Sequence, residues 1–279
     1  MKLTVFDNLD RYYQIAQHHL LEHEAANCLL LAISLGFRDS DRQQIYAASV
    51  KERGKIAATA IHFPPRKLLL SKSSNPLAVE LIARNLAAGE RSIAGMTAPQ
   101  AEAETFVDTW QSLTKKPVEL EVSLLVQQLE TIKPTNSAAG KERLAIPKDI
   151  ELLTDWIQQF AKEALNINES RANSRQWVIR NMEQNSLFVW QNGKNIVSMA
   201  AYGGRTPNGI RVKSVYTPSE HRSKGYATSL VSVMSQHLLE QHRYCFLFTD
   251  AVNSISNRIY HKIGYVRVAD LRDYNFYSP

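Results

Sequence analysis

Apolar residues at Ile15, Leu20, Leu21, Leu29 and Leu30 fall at a rough three-to-four spacing and predict a helix over residues 8–35, with Gly36 as its stop. The pattern then changes period. Residues 43–50 and 56–63 read as two strands of a hairpin turning at Arg53-Gly54. Pro64-Pro65 interrupts, and Lys67–Leu70 offers another short strand. Residues 75–88 predict a helix with Asn75 as cap and Pro76 in the first turn. Ser92–Met96 reads as a short strand, 99–113 as an amphipathic helix, and 118–132 begins with strand alternation.

Residues 133–147 are rich in Pro, Gly, Ser and Ala and mark the expected boundary between a first lobe, 1–135, and a second, 146–279. The second half opens with a helix over 148–165, whose Ile150, Leu153, Trp156, Ile157, Phe160, Ala164 and Leu165 make one apolar stripe. A helix over 174–184 follows. Asn192-Gly193 between two apolar runs is a strong hairpin signal. Residues 210–217 predict a strand, Gly225–Gln241 a helix, Tyr244–Thr249 a strand, Ser254–Lys262 a short helix and Tyr265–Phe276 a last strand. From residue 43 the first half runs three strands, helix, strand, helix, strand, and the second half repeats that order after two helices. The repetition of element order implies an internal duplication.

Composition adds limits. The 279 residues are 44% hydrophobic and 22% charged, which is ordinary for a globular chain. No apolar run reaches the roughly 18 residues a membrane helix needs, and the N-terminus shows no signal-peptide core. Cys28 and Cys245 lie in apolar runs far apart and read as buried reduced thiols, so the expected compartment is the cytoplasm, with no metal site. His18, His19 and His23 share a helix without the carboxylates or cysteines a metal needs. Residues 1–145 hold 17 Lys and Arg against 16 Asp and Glu, and residues 146–279 hold 16 against 11. A basic half suits an anionic ligand. Without a block of consecutive basic residues, nucleic acid is disfavoured against a phosphate-bearing small molecule.

The most informative stretch runs Val215-Tyr216-Thr217-Pro218-Ser219-Glu220-His221-Arg222-Ser223-Lys224-Gly225-Tyr226-Ala227-Thr228. A strand ends at a proline, and a basic, glycine-containing loop opens a helix. Free N–H groups and the positive end of the helix dipole suit a phosphate there. Gly225 permits a positive φ, Arg222 and Lys224 add charge, and Thr228 offers a hydroxyl. A basic loop that merely caps a helix explains the same letters.

Arg222-Ser223-Lys224-Gly225-Tyr226-Ala227 resembles the Arg/Gln-x-x-Gly-x-Gly/Ala signature of the GNAT acetyltransferases. The context is similar too: Val-Tyr-Thr-Pro before it, the strand Phe246–Thr249 after it, then Asn253, Asn257, Tyr260 and Gly264-Tyr265. The likeness covers residues 148–279. It implies an α+β fold with a mixed, mostly antiparallel sheet flanked by helices, in two tandem lobes of which the first is degenerate. It implies acetyl-CoA as co-substrate, with the loop Arg222–Ala227 and Thr228 at the pyrophosphate. Val215, Tyr216 and Thr217 then lie along a splayed strand that pairs with pantetheine, Asn253 and Asn257 lie at the pantetheine arm, and Tyr260 protonates the departing thiolate.

Acyl transfer to an amine needs a deprotonated acceptor, a hydrogen bond to the carbonyl oxygen and a proton for the thiolate. Backbone N–H at Val215 or Tyr216 meets the second need and Tyr260 the third; Tyr260 also suits simple packing. No base stands out: Glu220, His221, Asp250 and His261 each read first as surface or structural groups, and the strand Arg211–Tyr216 carries no carboxylate. In the first half Ser71–Ala78 takes the place of the loop without the signature, so that half is expected not to bind CoA but to wall the acceptor site. Tyr202, Arg205 and Trp190 are candidates for lining that pocket. The reading is an N-acetyltransferase acting on a small-molecule or peptide amine, without membrane partners. A non-catalytic CoA-binding module and an aminoacyl-tRNA-dependent transferase are the rivals.

Overall fold

A computed structural model describes residues 1–36, 45–89 and 91–277. Two residues of the first predicted strand, 43 and 44, lie outside them. In chain order the strands are β1 (Lys2–Phe6), β2 (Tyr46–Glu52), β3 (Lys55–His62), β4 (Leu68–Leu70), β5 (Gly95–Pro99), β6 (Val118–Leu129), β7 (Lys141–Leu144), β8 (Leu187–Asn192), β9 (Asn195–Gly203), β10 (Gly209–Tyr216), β11 (Tyr244–Asp250) and β12 (Val266–Phe276). The helices are α1 (Leu9–Glu22), α2 (Cys28–Gly36), α3 (Pro76–Ala88), α4 (Gln100–Thr114), α5 (Ile150–Leu165), α6 (Arg171–Glu183), α7 (Tyr226–Leu239) and α8 (Ser254–Ile263). The expected element order appears in both halves, and the fold is α+β.

All of these strands form one mostly antiparallel sheet, ordered β1-β2-β3-β4-β5-β12-β6-β11-β10-β9-β8-β7. β4 runs parallel to β5, and β10 parallel to β11. The order reads alike from both ends once β6 and β12 are taken as equivalents. Each half's last strand is exchanged. β12 pairs with β5 from Leu271↔Pro99 to Asn275↔Gly95, and β6 pairs with β11 from Cys245↔Leu129 to Asp250↔Leu124. β6 and β12 also pair with each other. Neither half closes its own sheet.

Helices cover both faces because the strands alternate. Ala47 packs with Tyr12, Ala16 and Leu20 of α1, whereas Ala48 packs with Val79 and Ile82 of α3. In the second half Val189 and Met199 meet Leu153 and Trp156 of α5, whereas Trp190 and Ala200 meet Leu230 and Met234 of α7. Cys28 and Cys245 are buried and unbridged. No helix among the described residues is long and apolar enough to cross a membrane.

Three features depart from the sequence reading. The single helix expected over 8–35 is two, because Glu24 and Asn27 are drawn into tertiary bonds. Glu24 accepts from Thr206 Oγ1 at 2.6 Å and from Asn208 N at 2.9 Å, and Asn27 Oδ1 accepts from Lys72 N at 2.9 Å. The edge strands β1 and β7 have no clear alternation of their own and form by pairing with β2 and β8. β5 begins three residues later than expected, where β12 provides its partner.

Candidate active site

β10 and β11 pair only over Gly209↔Tyr244, Ile210↔Cys245 and Arg211↔Phe246. Beyond Arg211 the two strands have no registered pairs, although each runs on for several residues. The register of β10 against β9 shifts between Lys213 and Tyr216, and Ser214 sits there at φ +51°. Such a bulge re-aims the strand and leaves one edge of residues 212–216 without a ladder partner. Val215 packs toward α7, whereas Tyr216 faces α5, with its ring edge-on to Trp156 at 6.2 Å.

The chain leaves β10 through Thr217 and Pro218 and makes one 3-10 turn, Ser219–His221. Ser223 at φ +62° and Gly225 at φ +82° then turn the backbone into α7. Arg222 N donates to Ser219 O and Ser229 N donates to Gly225 O. Between them, the backbone N–H groups of Ser223, Lys224, Gly225, Tyr226, Ala227 and Thr228 have no acceptor among the described residues. Helix starts leave N–H groups free, and here a left-handed pair of residues extends the free run ahead of the helix.

The side chains of the loop are less free. Arg222 Nη2 donates to Glu163 Oε2 of α5 at 2.5 Å and Nε donates to Thr217 O at 2.9 Å. Its guanidinium lies 5.8 Å over the Tyr216 ring. Arg222 thus ties the loop to α5, a role the sequence did not suggest. Lys224 Nζ donates to Glu220 O at 2.9 Å. Tyr226 Oη accepts from Asn192 Nδ2 at 2.9 Å, and Thr217 Oγ1 lies 2.9 Å from Ser198 Oγ. Thr228 and Ala227 sit partly buried in the first turn of α7.

α8 brings the remaining predicted residues alongside. Asn253 caps it, accepting from Ser256 N at 3.0 Å. Asn257 bridges the two halves. Its Oδ1 accepts from Thr249 Oγ1 at 2.6 Å and from Gln127 Nε2 of β6 at 3.2 Å, and its Nδ2 donates to Asp250 O and Ala251 O. That amide serves the fold fully. Tyr260 belongs to the same apolar cluster as Val215, Tyr226 and Leu230, and is 8% exposed. Its ring meets Tyr265 edge-on at 5.8 Å. Its hydroxyl has no hydrogen-bond partner among the described residues, and burial pushes its pKa well above the usual phenol value.

Among the candidate bases, Asp250 Oδ1 accepts from Val252 N at 3.0 Å, and Glu220 is exposed. Of the proposed pocket-lining residues, Trp190 is 2% exposed and donates to Ala139 O at 3.0 Å, so it anchors the segment before β7. Tyr202 Oη donates to Asn185 O at 3.2 Å, and Arg205 is exposed. Two cations that the sequence reading passed over, Arg211 and Lys213, lie on β10 itself.

The equivalent loop of the first half is built differently. Lys72 N donates to Asn27 Oδ1, Ser73 N to Glu102 Oε1, Ser74 N to Ala57 O, Asn75 N to Ser73 Oγ, Leu77 N to Asn75 Oδ1 and Ala78 N to Asn75 O, all between 2.9 and 3.1 Å. Pro76 has no N–H. Glu102, 4% exposed, places a carboxylate where the second half has free donors. His19 Nε2 lies 3.1 Å from Ser71 Oγ and 2.9 Å from Lys72 O, pinning the loop further.

A family model described as FR47-like protein matches residues 180–273. A search of curated protein sequences finds no match. Among solved structures, an acetyltransferase of the GNAT family from Colwellia psychrerythraea is similar over 99% of this chain and 100% of its own, with TM-score 0.62 and 10% identity. A Drosophila protein aligns over 99% and 98%, with TM-score 0.70 and 11% identity. A GCN5-related N-acetyltransferase from Sphaerobacter thermophilus aligns over 99% and 96%, with TM-score 0.65 and 14% identity. Residues 180–273 thus match an FR47-like family model, and the whole chain shares its fold with these solved structures.

Proposed function

We propose that the protein transfers an acyl group, by default acetyl, from its CoA thioester to an amine by direct attack in a ternary complex. The observation that carries this reading is the run of six N–H groups from Ser223 to Thr228, without acceptors among the described residues, at the start of α7 beside the parting of β10 and β11. Converging N–H groups and a helix dipole favour a pyrophosphate over a neutral ligand. The unladdered edge of β10 at Val215 and Tyr216 offers backbone groups to an extended arm and a donor to a carbonyl oxygen.

CoA supplies an activated thioester whose C–S bond breaks as the C–N bond to the amine forms. The chain's own part is to hold, orient and move protons. Ser223–Thr228 N–H groups bind the diphosphate. Arg222, held by Glu163, keeps the loop against α5. Tyr260, kept neutral by burial, gives its phenolic proton to the leaving sulfur, and the proton shed by the attacking nitrogen passes through water to restore the phenol. Asn253 and Asn257 set the start of α8 and thereby the position of Tyr260.

The first half does not bind CoA in this reading. Its corresponding N–H groups already have acceptors, and Glu102 repels phosphate. It serves instead as a wall, with α2 standing beside β10 and β11.

Thermal unfolding with and without acetyl-CoA tests the donor, and thiol release across a panel of primary amines tests the reaction. Ligand at about 100 times its Kd stabilises the native state by roughly 2.7 kcal/mol. No upward shift of Tm at millimolar acetyl-CoA would sink the assignment. A shift without turnover of any amine would leave a CoA-binding module as the better description.

A further inference from the structure

Arg211 and Lys213 occupy alternate positions of β10, on the face opposite Ile210 and Val212, which pack with α7. Arg211 stands where β10 and β11 part. Its guanidinium lies 5.2 Å over the Phe248 ring of β11, and its Nε is buried without a hydrogen bond. Lys213 Nζ lies 5.6 Å over the Trp177 ring of α6. Neither cation has an ion pair among the described residues. The nearby titratable groups do not supply one: Arg180 and Arg211 act on Lys213, and Cys28 of α2 acts on Arg211.

Several other half-buried cations do have an anionic partner. Lys67 is paired with Glu121 and Asp273, Arg143 with Asp149 at 2.6 Å, and Lys72 with Glu102 at 3.1 Å. Cations withdrawn from water are ordinarily matched by an anion. Two adjacent ones without a match hold a place for an anion from outside.

The two cations lie close against backbone. Gly203 and Gly204 precede β10 beside the two cations. A Cβ on Gly203 would come within 3.0 Å of Lys213 Nζ, and one on Gly204 would sit 3.9 Å from Arg211 Nε and Nη2 and 3.5 Å from Ala32 of α2. Bare backbone at both positions lets the two charged groups approach the chain closely beside α2. Lys213 precedes Val215 by two residues, about 7 Å along the strand. An anion bound at Lys213 therefore leaves the rest of a small molecule beside the unladdered edge of β10.

We propose that the acceptor amine also carries a carboxylate, which Lys213 and Arg211 bind on this face of β10 while the amine lies at the parted strand edge. The inference rests on the acyl-transfer reading and narrows it to free amino-acid-like acceptors. Carboxylate and guanidinium form charge-assisted, bidentate hydrogen bonds, and Lys213 adds a compact charge. Burial and the neighbouring guanidiniums push the Lys213 ammonium down to about 8, and a bound carboxylate relieves that pressure.

The test uses the full chain with acetyl-CoA and matched acceptors: amino acids, their amides and the corresponding decarboxylated amines. Thiol release should favour the free acid over its amide by about tenfold or more in kcat/KM. Lys213→Met should raise the acceptor KM and erase that preference while leaving the acetyl-CoA KM unchanged, and Lys213→Arg should retain it. An amide as good as its acid overturns the proposal. If no thiol is released, the same pairs are titrated calorimetrically into protein with and without acetyl-CoA. Binding that depends on the carboxylate supports the pocket, and its absence overturns it. Acetyl-CoA binding without carboxylate preference defeats this inference alone, whereas carboxylate binding by a protein indifferent to acetyl-CoA defeats the donor assignment alone.

Discussion

Replacing Gly225 by alanine isolates the contribution of the loop's backbone. Gly225 has φ +82° and ψ 0°. A Cβ there would meet only Ala138 Cβ at 3.7 Å, an ordinary contact, so the cost is torsional. Holding an L-residue in the left-handed region costs about 1–2 kcal/mol. Gly54, in the β2–β3 turn, has the same φ of +82° and nothing within 4 Å of a built Cβ. The two substitutions should therefore lower the ligand-free Tm alike, by about 2–6 °C for a chain of this size. They should differ with acetyl-CoA. In Gly54→Ala the loop at α7 is untouched, and the full ligand-dependent rise of roughly 2.7 kcal/mol at 100 times Kd remains. In Gly225→Ala strain is relieved by turning the Ser223–Thr228 N–H groups out of convergence, so the rise shrinks and the midpoint of the ligand titration moves to higher concentration. Scanning calorimetry over a series of acetyl-CoA concentrations reads both effects. Equal ligand-dependent rises in the two variants would refute the assignment of the loop.

Other outcomes follow from the same geometry. Tyr260→Phe removes a hydroxyl that has no partner among the described residues, so Tm should stay within the equivalent of about 1 kcal/mol while kcat falls roughly a hundredfold or more. Because burial holds the Tyr260 hydroxyl above its usual value of 10.0, wild type should show no alkaline loss of activity from this group between pH 7 and 9; unchanged kcat in the variant would remove it from the reaction. Isothermal titration should give one acetyl-CoA per chain, since the Lys72–Ala78 N–H groups already have acceptors; two equivalent sites would contradict the account of the first half. Lys213→Met should raise Tm at pH 7. The folded-state pKa of Lys213 is lowered from 10.5 to about 8, so the charged form opposes folding below about pH 8 and wild type recovers stability as pH rises from 8 toward 10.5. The advantage of the variant should shrink over that window, and a constant difference across it would mean that Lys213 packing, not its charge, is at issue.

Much of the molecule was legible before the structure. Periodicity located α3 through its Asn75 cap and Pro76, α5 through its Leu153–Trp156–Ile157 stripe and the β8–β9 hairpin through Asn192-Gly193, because these signals are local. The strand, the basic turn with glycine at 225 and the helix start were legible for the same reason, since they are neighbours in the chain. The structure adds that six N–H groups there have no acceptor among the described residues, and that Arg222 pairs with Glu163.

Tertiary structure alone decided the rest. The break between α1 and α2 exists because Glu24 meets Thr206 and Asn208, residues about 180 positions away. β1 and β7 are strands because β2 and β8 present open edges. The exchange of β6 and β12 left no trace in either strand's pattern, since alternation reports which face is buried and not which neighbour pairs. Arg211 and Lys213 read as ordinary charges on a strand. Whether a charge has a partner depends on what α2, α6 and β11 bring to it, and burial and pairing are properties of the folded surroundings that no single segment encodes.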